Sequence, residues 1–323
     1  MRAGLAAAGS RVRNRGFGFR SFLLFFSLAL FSCSSKTDTE QIVTVTIEPL
    51  RYFAEAIAGD KYTVKSLVGA GLNPENYDPT PRQMVDLGKS RAYFEVGSLG
   101  FEQAWMDRIR GNNPQLQVFT MSEGFDLLEE PAGATHAAGE EVAEEHGGDA
   151  AEAPVHNHAH GGTDPHIWSS FTGARQIARN TLQAFIALDP ENEAYYRANY
   201  QALLDEIGQT EREVRCDLDS LQTRTFIIYH PALTYLAREF DLTQLSIEFD
   251  GKEPTPAQLK ELIDTARKNE VKVVFVQMEF DRKNAELIAG ETGCELISIN
   301  PLSYDWNGEM IRIARALAYG KVD

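Results

Sequence analysis

Short apolar runs rich in β-branched residues alternate along most of this chain with stretches whose apolar positions recur every three to four residues. The runs Ile42–Ile47, Tyr62–Val68, Ala92–Val96 and Leu116–Thr120 predict four strands in the first half. Thr225–Tyr229, Leu242–Ser246, Val271–Val276 and Glu295–Ile299 predict four more in the second. Helical periodicity fills the gaps at Leu50–Ala58, Pro81–Lys89 and Glu102–Arg110, then at Ala232–Phe240, Thr255–Asn269, Lys283–Thr292 and Asn307–Tyr319. Alternating strands and helices imply parallel sheets covered by helices on both faces. Two such halves of similar size predict an α/β fold of two parallel-sheet lobes.

Between the halves the helical period continues without strands. One helix is expected over Thr172–Leu188. Asp189-Pro190 breaks it, with Asp as N-cap and Pro at the first helical position. A second helix then runs over Glu191–Leu218; at 1.5 Å per residue it is roughly 40 Å long, enough to act as a rigid connector of both lobes. The expected layout is a first lobe over 42–171, linking helices over 172–220 and a second lobe over 221–323. In open α/β sheets ligands bind beyond the carboxyl ends of the strands, which points to the cleft between the lobes.

The N-terminus says where the protein works. Residues 1–20 carry five arginines and no acid, and the apolar run Phe22–Phe31 follows. That run is short of the roughly 20 residues that span a bilayer. A basic region, a short apolar region and small residues read as a signal peptide over 1–32. Leu30-Phe31-Ser32-Cys33 resembles a bacterial lipobox, which makes Cys33 the lipid-bearing first residue of the mature chain and 33–41 a polar tether. The alternative is an uncleaved anchor with an incidental cysteine. Both place the protein outside the cytoplasm, anchored to a membrane in the periplasm or at the cell surface of a bacterium.

Removing the signal arginines takes the formal charge from −16 to −21. Nucleic acid and anionic lipid surfaces need a positive patch, so this balance argues against both and suits a cation. Two cysteines remain, Cys216 and Cys294, open to reading as a disulfide or as small buried apolar residues.

Five of the seven histidines, His136, His146, His156, His158 and His160, fall in one acidic run over 129–163. No Lys or Arg occurs between Arg110 and Arg175. Imidazoles and carboxylates without cations suit divalent metal ions. The run has no apolar period and is expected to be disordered. Ordering it to chelate costs about 1–2 kcal/mol per residue fixed, so it is expected to bind metal weakly and at several positions. The bland alternative is a solvated linker. Enzyme signatures are absent: there is no His-Glu-x-x-His, Gly-x-Ser-x-Gly or Gly-x-x-x-x-Gly-Lys.

Six motifs stand in order along the chain: Ile57-Ala-Gly-Asp60, Leu67 to Pro81 with Pro74-Glu-Asn-Tyr77 inside it, Gly100-Phe-Glu-Gln-Ala-Trp105, Asp164-Pro-His-Ile-Trp168, Tyr229-His-Pro-Ala232 and Ile288-Ala-Gly-Glu-Thr-Gly293. Together, from about Ile42 to Leu317, they resemble the zinc/manganese ABC-transporter substrate-binding proteins, a family of metal-binding lipoproteins whose zinc type carries a His-rich loop. The resemblance implies two α/β lobes, a rigid linking helix and one metal in the cleft. It implies a monomer that captures Zn²⁺ as transported ligand and delivers it to an ABC permease. It carries ligand roles onto His166 and His230. At the first position Glu75 stands where a histidine is usual, and a carboxylate binds zinc at similar length. At the fourth, Asn300 stands where a carboxylate is common; Asp305, a water or a loop histidine are the other candidates. A Mn²⁺-binding protein of the same family, a zinc-holding surface adhesin and a zinc hydrolase are the rival readings.

Overall fold

The computed structural model describes residues 41–129, 162–249 and 251–321. Cys33 and the histidines at 136, 146, 156, 158 and 160 lie outside the described residues.

Each of the eight expected strands forms: β1 (Ile42–Val45), β2 (Thr63–Ser66), β3 (Ala92–Glu95), β4 (Gln117–Thr120), β5 (Thr225–Ile228), β6 (Thr243–Ser246), β7 (Val273–Gln277) and β8 (Glu295–Ile299). The helices are α1 (Glu48–Ala58), α2 (Pro81–Leu87), α3 (Gly100–Asn112), α4 (Phe171–Leu188), α5 (Glu193–Leu218), α6 (Thr234–Glu239), α7 (Pro256–Lys268), α8 (Lys283–Thr292) and α9 (Trp306–Tyr319). The strands make two parallel four-stranded sheets, ordered β2-β1-β3-β4 and β6-β5-β7-β8. The two orders are the same, and each sheet has its switch point where its first and third strands pair. The likeness extends to capping: Thr80-Pro-Arg-Gln83 opens α2 and Thr255-Pro-Ala-Gln258 opens α7, each a reciprocal capping box.

Both faces of each sheet are covered, so successive residues of a strand enter different cores. Phe226, Ile228, Val273 and Phe275 point into a central core. Ile227, Val274 and Val276 point outward under α7 and α8. In the first sheet Phe94 points into the central core and Tyr93 into a smaller cluster under α2 and α3. The central core is continuous through both sheets and is filled by α1, α4, α5 and α9. α5 is 26 residues long, about 39 Å at the helical rise, and packs against α1 of the first lobe and α9 of the second.

Two indoles pin the junction. Trp168 Nε1 donates to the Pro301 carbonyl at 2.9 Å and Trp306 Nε1 donates to the Trp168 carbonyl at 2.6 Å. Trp306 also meets Phe53 of α1 and Phe171 of α4 at ring-centroid distances of 5.4 and 5.5 Å. One compact unit therefore holds both lobes.

Two local expectations are corrected. Pro190–Asn192 forms a 3-10 turn, so α5 starts at Glu193 and not at Glu191. Asp189 makes no side-chain cap; its Oδ2 instead accepts from Asn192 Nδ2 at 2.7 Å and from the Tyr196 hydroxyl at 2.8 Å. The cysteines are free thiols: Cys294 is buried with Sγ on the Val271 carbonyl, and Cys216 is exposed. Among the described residues no helix is long and apolar enough to cross a membrane.

A shared core makes a thermodynamic prediction. Urea unfolding followed by far-ultraviolet circular dichroism and by tryptophan fluorescence should give coincident single transitions. Trp306→Ala should lower that one midpoint, at a cost of about 3–5 kcal/mol for a large aromatic cut to alanine. Two separated transitions, only one of them moved by the substitution, would show that the lobes fold independently.

Candidate metal centre

The carboxyl ends of the strands face the cleft, and the site is assembled from residues just past them. His230 stands two residues beyond β5, Glu248 two beyond β6 and Glu279 two beyond β7. The Gln277 side chain fixes the His230 backbone, accepting from its N–H at 3.3 Å and donating to its carbonyl at 2.6 Å. Phe280 stacks on the His230 ring with centroids 5.3 Å apart. The ring cannot tip without breaking that stack.

His166 precedes a 3-10 turn at Ile167–Ser169 and is buried. Its segment leaves the first sheet but is held by the second lobe. Trp168 bonds Pro301, and the Tyr235 hydroxyl of α6 donates to the Asp164 carbonyl at 2.7 Å. Asp164 Oδ1 accepts from the His166 backbone N–H and lies 2.8 Å from His166 Nδ1. Burial raises the Asp164 carboxyl, but the His166 charge and hydrogen bonds outweigh it and hold the group below its ordinary value.

His230 is oriented the same way: its Nδ1 lies 3.2 Å from Glu248 Oε2. A carboxylate on Nδ1 favours the tautomer with the proton there and turns the Nε2 lone pair toward the cleft. In that tautomer both rings present Nε2 to the same space, where the two Nε2 atoms stand 3.2 Å apart. Two nitrogens bound at 2.0–2.1 Å to one tetrahedral zinc lie about 3.3 Å apart. The pair is already spaced for one ion.

Glu75 comes from the other lobe, on the loop between β2 and α2. Its Oε1 is 4.0 Å from His166 Nε2, and its Oε2 accepts from the Gly100 N–H at 3.0 Å. That donor is the first residue of α3, where the helix end favours a negative charge. Gly100 has to be glycine for this approach, since a Cβ there would collide with the Glu75 carbonyl. The turn leading to Gly100 is tied from beneath by buried Glu102, which accepts from the N–H groups of Val96, Gly97 and Leu99 and from the Thr46 hydroxyl. Burial pushes the Glu102 carboxyl up to about 7 against those donors.

Glu75, His166 and His230 thus offer one ligand atom each, all within 4.8 Å of one another. Asp305 is not among the acids brought to this group, and the backbone of Asn300 is held in the turn that follows β8. The Asn300 N–H is on Glu309 Oε1 and its carbonyl accepts from Ser303, which turns the chain into α9. Asp305 is exposed and caps α9, its Oδ1 accepting from the Gly308 N–H at 3.1 Å. Sequence reasoning missed Asp164, Glu248, Glu102 and Glu279 as members of the site. Asp164 and Glu102 lay inside the motifs singled out above; Glu248 and Glu279 had a quieter signal, an acid two positions past the end of a buried parallel strand. Glu279 lines the cleft with Glu75, His166, His230 and Phe280. Burial raises its carboxyl while the His230 and His166 charges pull the other way. The space left among these groups is about that of one water molecule.

Comparisons with known proteins place the chain in a family. The high-affinity zinc uptake system protein ZnuA of Bacillus subtilis is 28% identical over 276 residues, covering 84% of this chain and 81% of that protein. The zinc-binding lipoprotein AdcA of Streptococcus pneumoniae (strain R6) is 25% identical over 87% of this chain and 55% of its own length. A crystal structure of ZnuA superposes with a TM-score of 0.75 at 33% identity, over 86% of this chain and 98% of that one. Residues 43–317 match the family described as zinc-uptake complex component A, periplasmic, a family of solute-binding proteins for metal transport and not of enzymes; the chain belongs to that family.

Proposed function

We propose that this protein is an extracytoplasmic lipoprotein that captures Zn²⁺ between Glu75, His166 and His230 and delivers it to an ABC permease. The observation that carries the reading is the pair of Nε2 atoms 3.2 Å apart, each ring turned inward by a carboxylate on its other nitrogen. Two imidazoles favour zinc over the harder Mn²⁺, which prefers oxygen donors. The relatives' printed names support the choice of metal and the lipid anchor. Glu75 approaches from the first lobe and both histidines are held on the second. An ion joining them has higher affinity for the closed arrangement, and that difference is what shifts the population on binding. Neutral imidazole is required, so loading releases protons and acid favours release. The His-rich run gathers further ions loosely, and Cys33 carries the lipid.

Isothermal titration of the metal-free mature protein with Zn²⁺ should give one tight class and a weaker class of several ions. His230→Ala should weaken the tight class by about 100-fold or more, the upper range for even a supporting residue of a metal site. His158→Ala should leave it unchanged. Deleting residues 132–161 should remove the weak class and spare the tight one. A deletion that abolished tight binding would place a loop histidine in the first coordination sphere and overturn the assignment.

The anchor is tested separately. Cys33→Ser should abolish fatty-acid labelling of the protein and move it from the membrane to the soluble fraction. Unchanged labelling in the variant would rule out lipid on Cys33.

A further inference from the structure

Three protein ligands leave a zinc site short of the four it ordinarily takes. The chain carries a further carboxylate in the same cleft, with one of its oxygens left unpartnered. Glu279 follows β7 and lines the same cleft as Glu75. Its Oε2 is buried without a hydrogen-bond partner, and no ion pair joins Glu279 to a lysine or arginine among the described residues. Glu75 Oε1 is buried and unpartnered in the same way. Two buried carboxylate oxygens left without donors, in a cleft lined also by two imidazoles, form an arrangement completed by a cation.

The sheet register explains how Glu279 comes to be there. β5 and β7 are neighbours at the switch point of the second sheet, with Ile228 paired to Phe275. That register sets His230 level with Gln277, the residue whose side chain clamps its backbone. Glu279 is two residues farther along, over the mouth of the site. The triad alone meets the 4.8 Å mutual spacing, so Glu279 has to swing inward to ligate. Its neighbour Met278 is 68% exposed, so the turn that carries it lies at the surface.

We infer that Glu279 is the fourth protein ligand of the transported ion, closing over it from the second lobe as Glu75 does from the first. The inference rests on the triad assigned above. Two carboxylates and two neutral imidazoles balance the charge of a divalent ion. They also give the site an even division of nitrogen and oxygen donors, which moderates the preference for Zn²⁺ over Mn²⁺. Asp305 takes no part, its carboxylate being committed to the cap of α9.

The test compares Glu279→Gln, Glu279→Asp, Asn300→Ala and His230→Ala in the full mature chain. Zn²⁺ and Mn²⁺ affinities are measured by competition with a chromophoric chelator, and the visible spectrum of the Co²⁺-loaded protein reports the coordination sphere. Glu279→Gln should weaken Zn²⁺ by about 10- to 100-fold. It should weaken Mn²⁺ by a larger factor and change the Co²⁺ bands. Glu279→Asp, which keeps the charge on a shorter stem, should fall between wild type and the amide. Asn300→Ala should bind as wild type. If His230→Ala weakens zinc but Glu279→Gln leaves both metals and the Co²⁺ spectrum unchanged, the triad stands and Glu279 is not a ligand. Equal losses for both metals with unchanged Co²⁺ bands would also overturn ligation, because a distant charge acts on both ions alike. If His230→Ala itself has no effect, the triad fails and this inference fails with it.

Discussion

Two imidazole nitrogens facing each other across 3.2 Å are the constraint on which the rest of this structure depends. Each ring is turned by a carboxylate on its far side, Asp164 for His166 and Glu248 for His230. When both rings are neutral with the proton on Nδ1, the two Nε2 lone pairs point into one small space and repel, and a cation between them relieves it. The surrounding structure resists relief of that repulsion. Phe280 and Gln277 fix one ring, while Asp164, itself held by Tyr235, fixes the other.

The lobes are linked by packing as well as by the proposed ion. A single apolar core runs through both sheets, and α5 leans on a helix from each. Trp168 and Trp306 hydrogen-bond across the junction immediately beside the site. The loops at the strand ends, which carry Glu75 and Glu279, stand outside this shared core. The packed helices and sheets behind them form a rigid frame. That division suits a binding protein: the frame sets the nitrogen pair, and the proposed carboxylate ligands come from the loops around it.

Much of this was legible in the sequence. Buried parallel strands are short continuous apolar runs with turn residues at their ends, and seven of the eight form inside their expected runs while β7 extends one residue beyond, to Gln277. Glu75, His166 and His230 were legible through their motifs, and the structure brings them together. Asp305 shows why the remainder was harder. An acid just ahead of a helix suits both a cap and a ligand, and only the fold reveals that Gly308 N–H occupies its carboxylate. Asp189 misled in a similar way: an Asp-Pro pair predicts a capped helix start, but the Tyr196 hydroxyl draws the side chain away and a 3-10 turn intervenes. Glu248 and Glu279 went unread because neither sits in a recognisable motif. Their role follows from being two residues past strands that lie beside β5, which requires the strand order and register, and neither is written in local sequence.

The most direct test of the central claim is X-ray absorption at the zinc K-edge, on protein lacking residues 132–161 and loaded with one equivalent of Zn²⁺. The account predicts two imidazole nitrogens and oxygen donors in a first shell at about 2.0–2.2 Å, with no sulfur, and the imidazole outer-shell signal of one ring lost in His230→Ala. A first shell of oxygen alone, or an imidazole signal that survives intact in both His166→Ala and His230→Ala, would contradict it.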